Sequence, residues 1–299
     1  MILQRQKLKK LNSINNKIDT FLFGNTTSNE NGYYMSFFRI AIGLIAIVDV
    51  VSLIPDLELF FSNDKTIIPQ ELSYLFSDYF GFLNNFYIFL SKFGLVDFFY
   101  NYSIYFYILF LLFVIVGFKT RLFVFLSLFF QIVIFKSFNV FNYGFDNFLT
   151  MSLFYCLIFP VGKINSIDNY FFKKETKLKL PFKRFLQLHL CIVYVTSGIA
   201  KCIDPNWLDG NAIYRASASI FKKCIELPPA VFMLISLSVL FLEIFYPLIF
   251  MSKLKKYFLY GIVAMHLGIA IMLELYSFAL IMIVWNITAF YTFKKTETK

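Results

Sequence analysis

The chain alternates between long apolar stretches and shorter polar segments. Eight stretches approach the roughly 20 apolar residues that a membrane-spanning helix needs, and their approximate bounds are 36–54, 103–118, 121–138, 145–161, 182–201, 229–251, 257–274 and 276–293. The last three are tightly joined, so seven or nine spans would also fit the pattern. The pattern predicts an all-α fold, a polytopic membrane helix bundle of about eight transmembrane helices.

Composition supports a membrane protein and excludes other classes. Hydrophobic residues make up 59% of the 299 residues and charged residues 15%, whereas a soluble globular chain is roughly 45–50% apolar and about 25% charged. The 12 Gly, 8 Pro and 4 Cys are too few for a collagen-like chain, a disordered chain or a disulfide scaffold. The 42 Phe and 19 Tyr, which A/T-rich codons encode, favour a bacterial source.

The net charge is +10. We interpret the excess of Lys and Arg as a signal for orientation in the membrane and not as a nucleic-acid-binding surface. Lys and Arg accumulate in the cytoplasmic segments of membrane proteins. With the N terminus in the cytoplasm, the predicted inner segments hold 20 Lys and Arg and the outer segments hold 7. We therefore predict a multi-pass protein of the bacterial cytoplasmic membrane with both termini inside. A basic amphipathic arm over 1–35 precedes the membrane domain, 36–293, and a short tail, 294–299, follows it.

Two long segments, 55–102 and 202–228, face outward under this topology. The aromatic stretch from Tyr79 to Phe89 in the first segment is too short to cross a bilayer, so it predicts a helix lying at the membrane interface. The second segment places Trp207 among turn-forming residues, which is typical of an interfacial anchor.

The cysteines and histidines indicate no metal centre. Cys202 and Cys224 share the second outer segment, where an oxidising compartment permits a disulfide, and the sequence leaves both the disulfide and the free thiols open. His189 and His266 are the only histidines and belong to no Cys/His cluster, so a zinc site is not expected.

Ionisable groups inside the predicted spans are the informative residues, because each is costly in hydrocarbon unless it faces the bundle interior or a water-filled cavity. They are Arg39, Asp49, Asp146, His189, Lys201, Glu243, His266 and Glu274. Arg39 lies near the inner face and is expected to reach the headgroups. His189 and Glu243, which lies nearer the inner end of its span, are interpreted as helix-to-helix contacts, and Pro247 predicts a kink after Glu243.

Several of these groups share one depth. The residues at or near the outer ends of their spans are Asp49, Asp146, Lys201 and Glu274. His266 lies about 12 Å below Glu274 at a rise of about 1.5 Å per residue. Together they predict a cavity that opens outward, with Asn142 and Trp207 at its wall. Each group alone is equally typical of an interfacial residue that reaches water unaided.

Residues 197–210 resemble a motif of the vitamin K-dependent γ-carboxylase family, in which a span ends in Gly-x-x-Lys before an acidic turn, Trp and Gly. The matching residues are Gly198, Lys201, Asp204, Trp207 and Gly210. The order of further motifs is similar to the wider horizontally transferred transmembrane (HTTM) group. They are Arg39-Ile40 with Gly43, Phe61-Ser62-Asn63-Asp64 with Pro69, Gly144-Phe145-Asp146, Glu243 before Pro247, and the lone His266.

The resemblance implies a membrane enzyme that uses a lipid quinol. In the carboxylases, a lysine matching Lys201 acts as base toward vitamin K hydroquinone, which reacts with oxygen to give a base that removes a glutamate γ-proton before carbon dioxide adds. A menaquinol-type cofactor is therefore expected, with Lys201, Asp146 and His266 as catalytic residues and no metal. A helix-end lysine that loses hydration also favours the neutral amine that a general base needs. Asp146 stands where the carboxylases have a histidine beside the lysine, so we expect Asp146 to pair with Lys201.

Two other functions remain open. The related sporulation-delaying toxin system suggests an HTTM-type protein that matures or exports a peptide without carboxylation. The third possibility is a non-catalytic membrane protein whose charged groups only hold the bundle together. The expected partners are the lipid bilayer, a lipid quinone and, for the first two functions, a secreted peptide.

Overall fold

The computed structural model describes residues 28–56, 70–136, 141–171, 182–220 and 227–291, together with Leu59 and Ile67. Every regular element within these ranges is helical, which confirms the predicted all-α class. Most of the basic arm, the C-terminal tail and Cys224 lie outside the described residues.

The described residues form a succession of α-helices. In chain order they are α1 Ser28–Ser52, α2 Gln70–Leu75, α3 Phe80–Lys92, α4 Val96–Val116, α5 Thr120–Phe130, α6 Gly144–Ile158, α7 Ile167–Phe171, α8 Phe182–Ile203, α9 Pro205–Leu208, α10 Asn211–Ile220, α11 Pro229–Ile244, α12 Lys255–Leu273 and α13 Tyr276–Phe290. A 3₁₀ turn, Ile54–Asp56, follows α1, a π-helical turn, Gln131–Phe135, continues α5, and a 3₁₀ turn, Tyr246–Phe250, follows α11.

Four of these helices, α1, α4, α8 and α12, are long and apolar enough to cross a membrane. The other four predicted spans correspond to shorter apolar helices, α5 with its π-helical turn, α6, α11 and α13. All eight predicted apolar stretches are therefore helical, and the number of eight crossings stays a prediction. The short helix predicted around Tyr79–Phe89 is present as α3.

Local chemistry sets several helix ends. α4 ends at Gly117, whose φ of 72° lies in the left-handed region that glycine adopts without steric cost. Asp146 caps the start of α6, where its Oδ2 accepts a 3.0 Å hydrogen bond from the Tyr143 backbone N–H. Pro247 lies in the 3₁₀ turn after α11, so the kink predicted at this proline is a break of the helix.

An aromatic core joins α13 to three neighbouring helices. The ring of Phe38 on α1 packs edge-on against Trp285 of α13, with centroids 5.8 Å apart, and against Phe182 of α8 at 5.5 Å. Trp285 Nε1 donates a 2.8 Å hydrogen bond to Ser152 Oγ on α6. Because buried indole N–H groups need a partner, this bond fixes the position of the ring within the core.

Arg39 on α1 is fully buried, so the expectation that it reaches the headgroups is wrong. The loop between α6 and α7 folds over it, and its Nη2 donates a 2.6 Å hydrogen bond to the carbonyl oxygen of Asn165. The neighbouring Asp168 caps α5, since its carboxylate accepts hydrogen bonds of 2.7 and 2.8 Å from the backbone N–H groups of Lys119 and Thr120. Segments predicted to face inward thus meet at one end of the bundle.

Segments predicted to face outward meet at the other end. Ser77 Oγ donates a 2.7 Å hydrogen bond to the carbonyl oxygen of Lys136, which ties the segment between α2 and α3 to the end of α5. Ser277, at the start of α13, hydrogen-bonds to Asp49 near the end of α1. The predicted inner and outer segments thus lie at different ends of the bundle, and which end faces the cytoplasm stays a prediction.

We expect a cysteine probe at Asn211 to react with a membrane-impermeant thiol reagent in intact cells once the native cysteines are replaced. Asn211 and Asn169 are both exposed, and they belong to segments predicted to lie on opposite sides of the membrane. A probe at Asn169 should react only after the inner face is opened. The reverse labelling pattern would overturn the predicted orientation.

Candidate functional site

The candidate site is centred on an ion pair between the end of α8 and the end of α11. Lys201 Nζ donates a 2.5 Å hydrogen bond to Glu243 Oε1. The Glu243 side chain is 5% exposed and the Lys201 side chain is 23% exposed. The Lys201–Glu243 pair therefore has one fully buried partner and one partner that reaches the surface of the bundle.

The absence of a side chain at Gly198 lets the two helices approach closely enough for this pair to form. A Cβ atom at this position would lie 2.9 Å from Ile244 Cγ1 and 3.0 Å from the Ile244 backbone nitrogen. Such distances are shorter than normal packing contacts, so α11 approaches the backbone of α8 one turn before Lys201. A side chain at Gly198 would push Glu243 away from Lys201.

This geometry corrects two expectations. Glu243 does not lie far below Lys201, because α11 already ends at Ile244 and its last turn is level with the end of α8. The expected pair between Asp146 and Lys201 is also wrong, because Lys201 binds Glu243 while Asp146 caps α6.

Trp207 lies against the Lys201 ammonium group. Lys201 Nζ is 4.7 Å from the centroid of the indole, within the range of about 6 Å for cation–π attraction. The short helix α9 holds this ring, and Asp204 caps α9 by accepting a 3.0 Å hydrogen bond from the Asn206 backbone N–H. Ser236 on α11 donates a hydrogen bond to the Trp207 carbonyl oxygen. The turn after α8 thus places an aromatic surface beside the ion pair.

A chain of four hydrogen-bonded side chains lies in the core near this pair. Tyr194 Oη on α8 is 2.7 Å from His266 Nε2 on α12. Asn286 Nδ2 on α13 donates a 2.8 Å hydrogen bond to Tyr194 Oη, and Tyr246 Oη donates a 2.6 Å hydrogen bond to Asn286 Oδ1. All four residues are at most 2% exposed. We call this chain the Tyr–Asn–His network.

Two buried polar atoms beside these contacts have no hydrogen-bond partner among the described residues, namely Glu243 Oε2 and His266 Nδ1. Buried polar atoms are normally paired, because an unmade hydrogen bond in the interior is costly. Electrostatic interactions couple Lys201 to His266 and Glu243 to Tyr194, so both atoms belong to one polar region. A ligand with oxygen atoms would find hydrogen-bonding capacity there.

Asp146 and Asp49 belong to a second polar cluster near the predicted outer end. The two carboxylates interact electrostatically with each other, and Asp146 also interacts with Lys136. The Lys136 ammonium donates a hydrogen bond to Asn147 Oδ1. Among the described contacts, Lys201 and His266 therefore belong to one cluster and Asp146 and Asp49 to another, and the single outward cavity stays a prediction.

The remaining candidates lie apart from the Lys201–Glu243 pair. Glu274 is exposed in the turn between α12 and α13, and Asn142 is half-buried in the segment before α6. His189 Nδ1 is 2.7 Å from Tyr155 Oη, and the His189 ring packs against Trp285 with centroids 5.1 Å apart. His189 thus links α8 to α6 and α13.

The thiols and carboxylates offer no metal centre within the part of the chain that the structure describes. Cys202 is a free thiol there. Its possible partner Cys224 lies outside the described residues, so their disulfide stays a prediction.

An apolar groove runs between α10, α11 and α12. Its volume is about 510 Å³, which lies in the range of about 300–1,000 Å³ typical of ligand pockets. Leu242 and Met265 line the groove, and these residues directly precede Glu243 and His266 in the chain. The apolar groove and the polar site are therefore built on the same two helices.

Sequence reasoning missed three members of the site, Tyr194, Tyr246 and Asn286. Only ionisable groups within the spans were treated as candidates, although an uncharged amide in a span is also a polar group that needs a partner. Asn286 lies inside the last apolar stretch and could have been found by that signal. Nothing distinguishes Tyr194 or Tyr246 among the 19 tyrosines of the chain.

We expect Lys201→Met to lower the free energy of unfolding more than Glu243→Leu does. The first change leaves a buried carboxylate without its partner, which costs about 3–5 kcal/mol in buried pairs, whereas the second leaves a lysine that already reaches the surface. The double variant should be more stable than Lys201→Met alone. Reversible unfolding in mixed detergent would measure these differences.

Asp146→Leu combined with Lys201→Met provides the control for this cycle. Because Asp146 and Lys201 share no hydrogen bond, their effects should add. If the losses in free energy of unfolding for Lys201→Met and Glu243→Leu also added up in the double variant, these two side chains would not interact.

No family model, no curated protein and no solved structure matches this chain. The resemblance to the carboxylase and HTTM families therefore stays a prediction that rests on the motifs. Any functional conclusion has to be supported by the contacts of the site itself.

Proposed function

We propose that the chain is an integral membrane protein of γ-carboxylase type that binds a lipid quinol at the Lys201–Glu243 pair, with Lys201 as general base. The observation that carries this proposal is the surroundings of the pair: the indole ring of Trp207 lies against Lys201, and the buried atoms Glu243 Oε2 and His266 Nδ1 have no hydrogen-bond partner among the described residues.

The residues present fit both parts of such a ligand. A quinol has an aromatic head with two oxygen atoms, and the polar region offers Trp207 as a packing surface and Glu243 Oε2 as a hydrogen-bond acceptor. A prenyl tail is a hydrocarbon chain, and the apolar groove next to Leu242 and Met265 is lined almost entirely by apolar side chains. When bound, a vitamin K-type quinol would supply the strong base that glutamate carboxylation needs.

The ion pair gives the site a means of moving a proton. Lys201 Nζ donates a 2.5 Å hydrogen bond to Glu243 Oε1, so Glu243 lies within reach of a proton that Lys201 gives up. When Glu243 holds it, the neutral Lys201 amine can accept a proton from a ligand hydroxyl group. Lys201 is the partner that reaches the surface of the bundle, so we assign the role of base to Lys201. We assign no step to Asp146, which lies in the second cluster.

The predicted location of this site follows from the topology. α8 runs toward the predicted outer end, and Lys201 lies in its last turn. The proposal therefore places the site near the outer leaflet of a bacterial cytoplasmic membrane, where a lipid quinol and a secreted peptide would both be accessible.

We expect Lys201→Arg to abolish quinol-dependent oxygen uptake by the purified protein. The guanidinium group keeps the charge that Glu243 requires, but it is effectively always protonated and cannot act as a base. Because general-base catalysis contributes on the order of 10²–10⁴-fold, a loss smaller than about tenfold would contradict this role. An oxygen electrode with reduced naphthoquinones measures the effect.

Two further variants separate catalysis from folding. The double variant Lys201→Met with Glu243→Leu removes the base without leaving a buried charge, and it should also be inactive. Lys92→Ala changes an exposed lysine on α3 and should keep wild-type activity. If the wild-type protein consumes no oxygen with any reduced naphthoquinone or benzoquinone, the enzyme proposal fails, and a role in peptide maturation or in bundle structure takes its place.

We expect Gly268→Leu to raise the KM for a long-tailed menaquinol by about tenfold or more, while the KM for tail-less menadiol stays unchanged. Gly268 lines the groove, and a Cβ atom there would have no other atom within 4 Å, so the new side chain fits but fills the groove. Each buried CH₂ group contributes about 0.8 kcal/mol to binding. Losing the burial of two CH₂ groups of the tail is therefore enough for a rise in KM of about tenfold.

Gly81→Leu is the matched control for this change. Gly81 lies on α3, where a Cβ atom also meets nothing within 4 Å, but it lines no part of the groove. Equal changes of KM for both quinols, or for both variants, would contradict a role of the groove in tail binding.

A further inference from the structure

We propose that the Tyr–Asn–His network holds His266 as the neutral tautomer with its proton on Nδ1, and that this N–H group donates a hydrogen bond to an oxygen atom of the bound ligand. His266 would then stabilise an acceptor oxygen and would not remove a proton. The tautomer follows from the described contacts alone. Only the identification of the oxygen as that of a quinol rests on the proposed function.

The first step is the orientation of the Asn286 amide. Asn286 Nδ2 lies 2.8 Å from the carbonyl oxygen of Met282, on the preceding turn of α13. A backbone carbonyl oxygen can only accept hydrogen bonds, so the amide nitrogen and not the amide oxygen must face it. The same nitrogen therefore also faces Tyr194 Oη, and the amide oxygen faces Tyr246 Oη, which donates to it.

The second step is the direction of the Tyr194 hydroxyl group. Tyr194 Oη accepts a hydrogen bond from Asn286 Nδ2, so its own hydrogen atom needs an acceptor. His266 Nε2, 2.7 Å away, is the acceptor that the described contacts provide. If His266 Nε2 carried a proton, it would be a donor and could not accept the hydrogen atom of the Tyr194 hydroxyl group. That hydrogen atom would then have no acceptor among the described contacts.

The third step is the position of the remaining proton on the ring. A neutral imidazole carries one N–H group, and since Nε2 accepts, the proton lies on Nδ1. The His266 ring is 2% exposed, and Nδ1 has no hydrogen-bond partner among the described residues. Nδ1–H is thus a buried donor whose direction is fixed in advance by a network of three other side chains.

A fixed donor of this kind suits an oxygen atom on which negative charge develops. Donors that are oriented before the reaction stabilise such charge without having to reorganise. The network also separates two roles within the site, because the proposed function assigns proton transfer to Lys201 and Glu243 while His266 offers a hydrogen-bond donor. Tyr194 and Asn286 act only through His266 and are therefore positioning residues.

The tautomer can be measured directly because the chain has only two histidines. In protein labelled with ¹⁵N-histidine, the two-bond couplings between ring nitrogens and ring protons distinguish Nδ1–H from Nε2–H. The variant His189→Gln leaves His266 as the single source of signal. We expect His266 to be protonated on Nδ1, and protonation on Nε2 in the wild-type protein would overturn the proposal.

Removing one hydroxyl group tests what fixes the tautomer. Tyr194→Phe should shift His266 toward the Nε2–H form, because Nε2 loses its donor. Tyr155→Phe is the matched control, since Tyr155 Oη contacts Nδ1 of His189 at the same distance of 2.7 Å. It should change the His189 signals and leave those of His266 unchanged. An unchanged His266 spectrum in Tyr194→Phe would contradict the assigned role of the network.

Activity and ligand binding test the role of the donor. His266→Ala should lower kcat for quinol-dependent oxygen uptake by about 10²–10³-fold, as loss of one oriented donor does at other sites, whereas His266→Asn, which keeps an N–H group near the position of Nδ1, should retain most of it. Menadione added to the wild-type protein should shift the Nδ1 resonance of His266.

These readouts separate failure of the inference from failure of the proposed function. The expected tautomer without any oxygen uptake would reject the quinol function and leave the network assignment standing. Oxygen uptake together with an unshifted Nδ1 resonance, or equal kcat for His266→Ala and His266→Asn, would reject the donor role and leave Lys201 as the base.

Discussion

The Lys201–Glu243 pair is the interaction on which the rest of the site depends. A carboxylate that is 5% exposed inside an apolar bundle needs a cation at hydrogen-bonding distance, because an unpaired buried charge is strongly destabilising. To supply that cation, α8 must end level with the last turn of α11, and Gly198 must leave room for the two backbones. The turn that follows α8 then places Trp207 over the ammonium group. The need to pair the buried Glu243 carboxylate therefore relates the level ends of α8 and α11, the close backbone contact at Gly198 and the position of the Trp207 ring.

The helical fold could be predicted from the sequence, whereas the burial of individual polar groups could not. Backbone polar groups have no partner in hydrocarbon unless a helix pairs them, so each long apolar stretch had to be helical. Arg39 shows the limit of this reasoning. Its environment is made by Asn165, more than 100 residues later, and no local pattern shows that this loop folds over the arginine.

The candidate site could be predicted in part. Lys201 and Trp207 were found because they lie six residues apart in one turn, where a local motif determines their contact. The partnership of Glu243 could not be found, since it depends on where α11 ends relative to α8. Asp146 was placed beside Lys201 for the same reason, as depth alone does not specify which helices are neighbours. The Tyr–Asn–His network needs three helices and a 3₁₀ turn to meet, which is information that spacing along the chain does not contain.

The short lengths of α11 and α13 have a consequence for the surrounding lipid. Helices of 16 and 15 residues extend over about 24 and 22 Å at about 1.5 Å per residue, less than the hydrocarbon thickness of about 30 Å. If both helices cross the membrane as predicted, this hydrophobic mismatch would make the bilayer thinner beside α11 and α13. Water and lipid headgroups would then come closer to the Lys201–Glu243 pair than they would beside longer helices. In the proposed function, this thinning would shorten the low-dielectric distance that a proton leaving Lys201 has to cross.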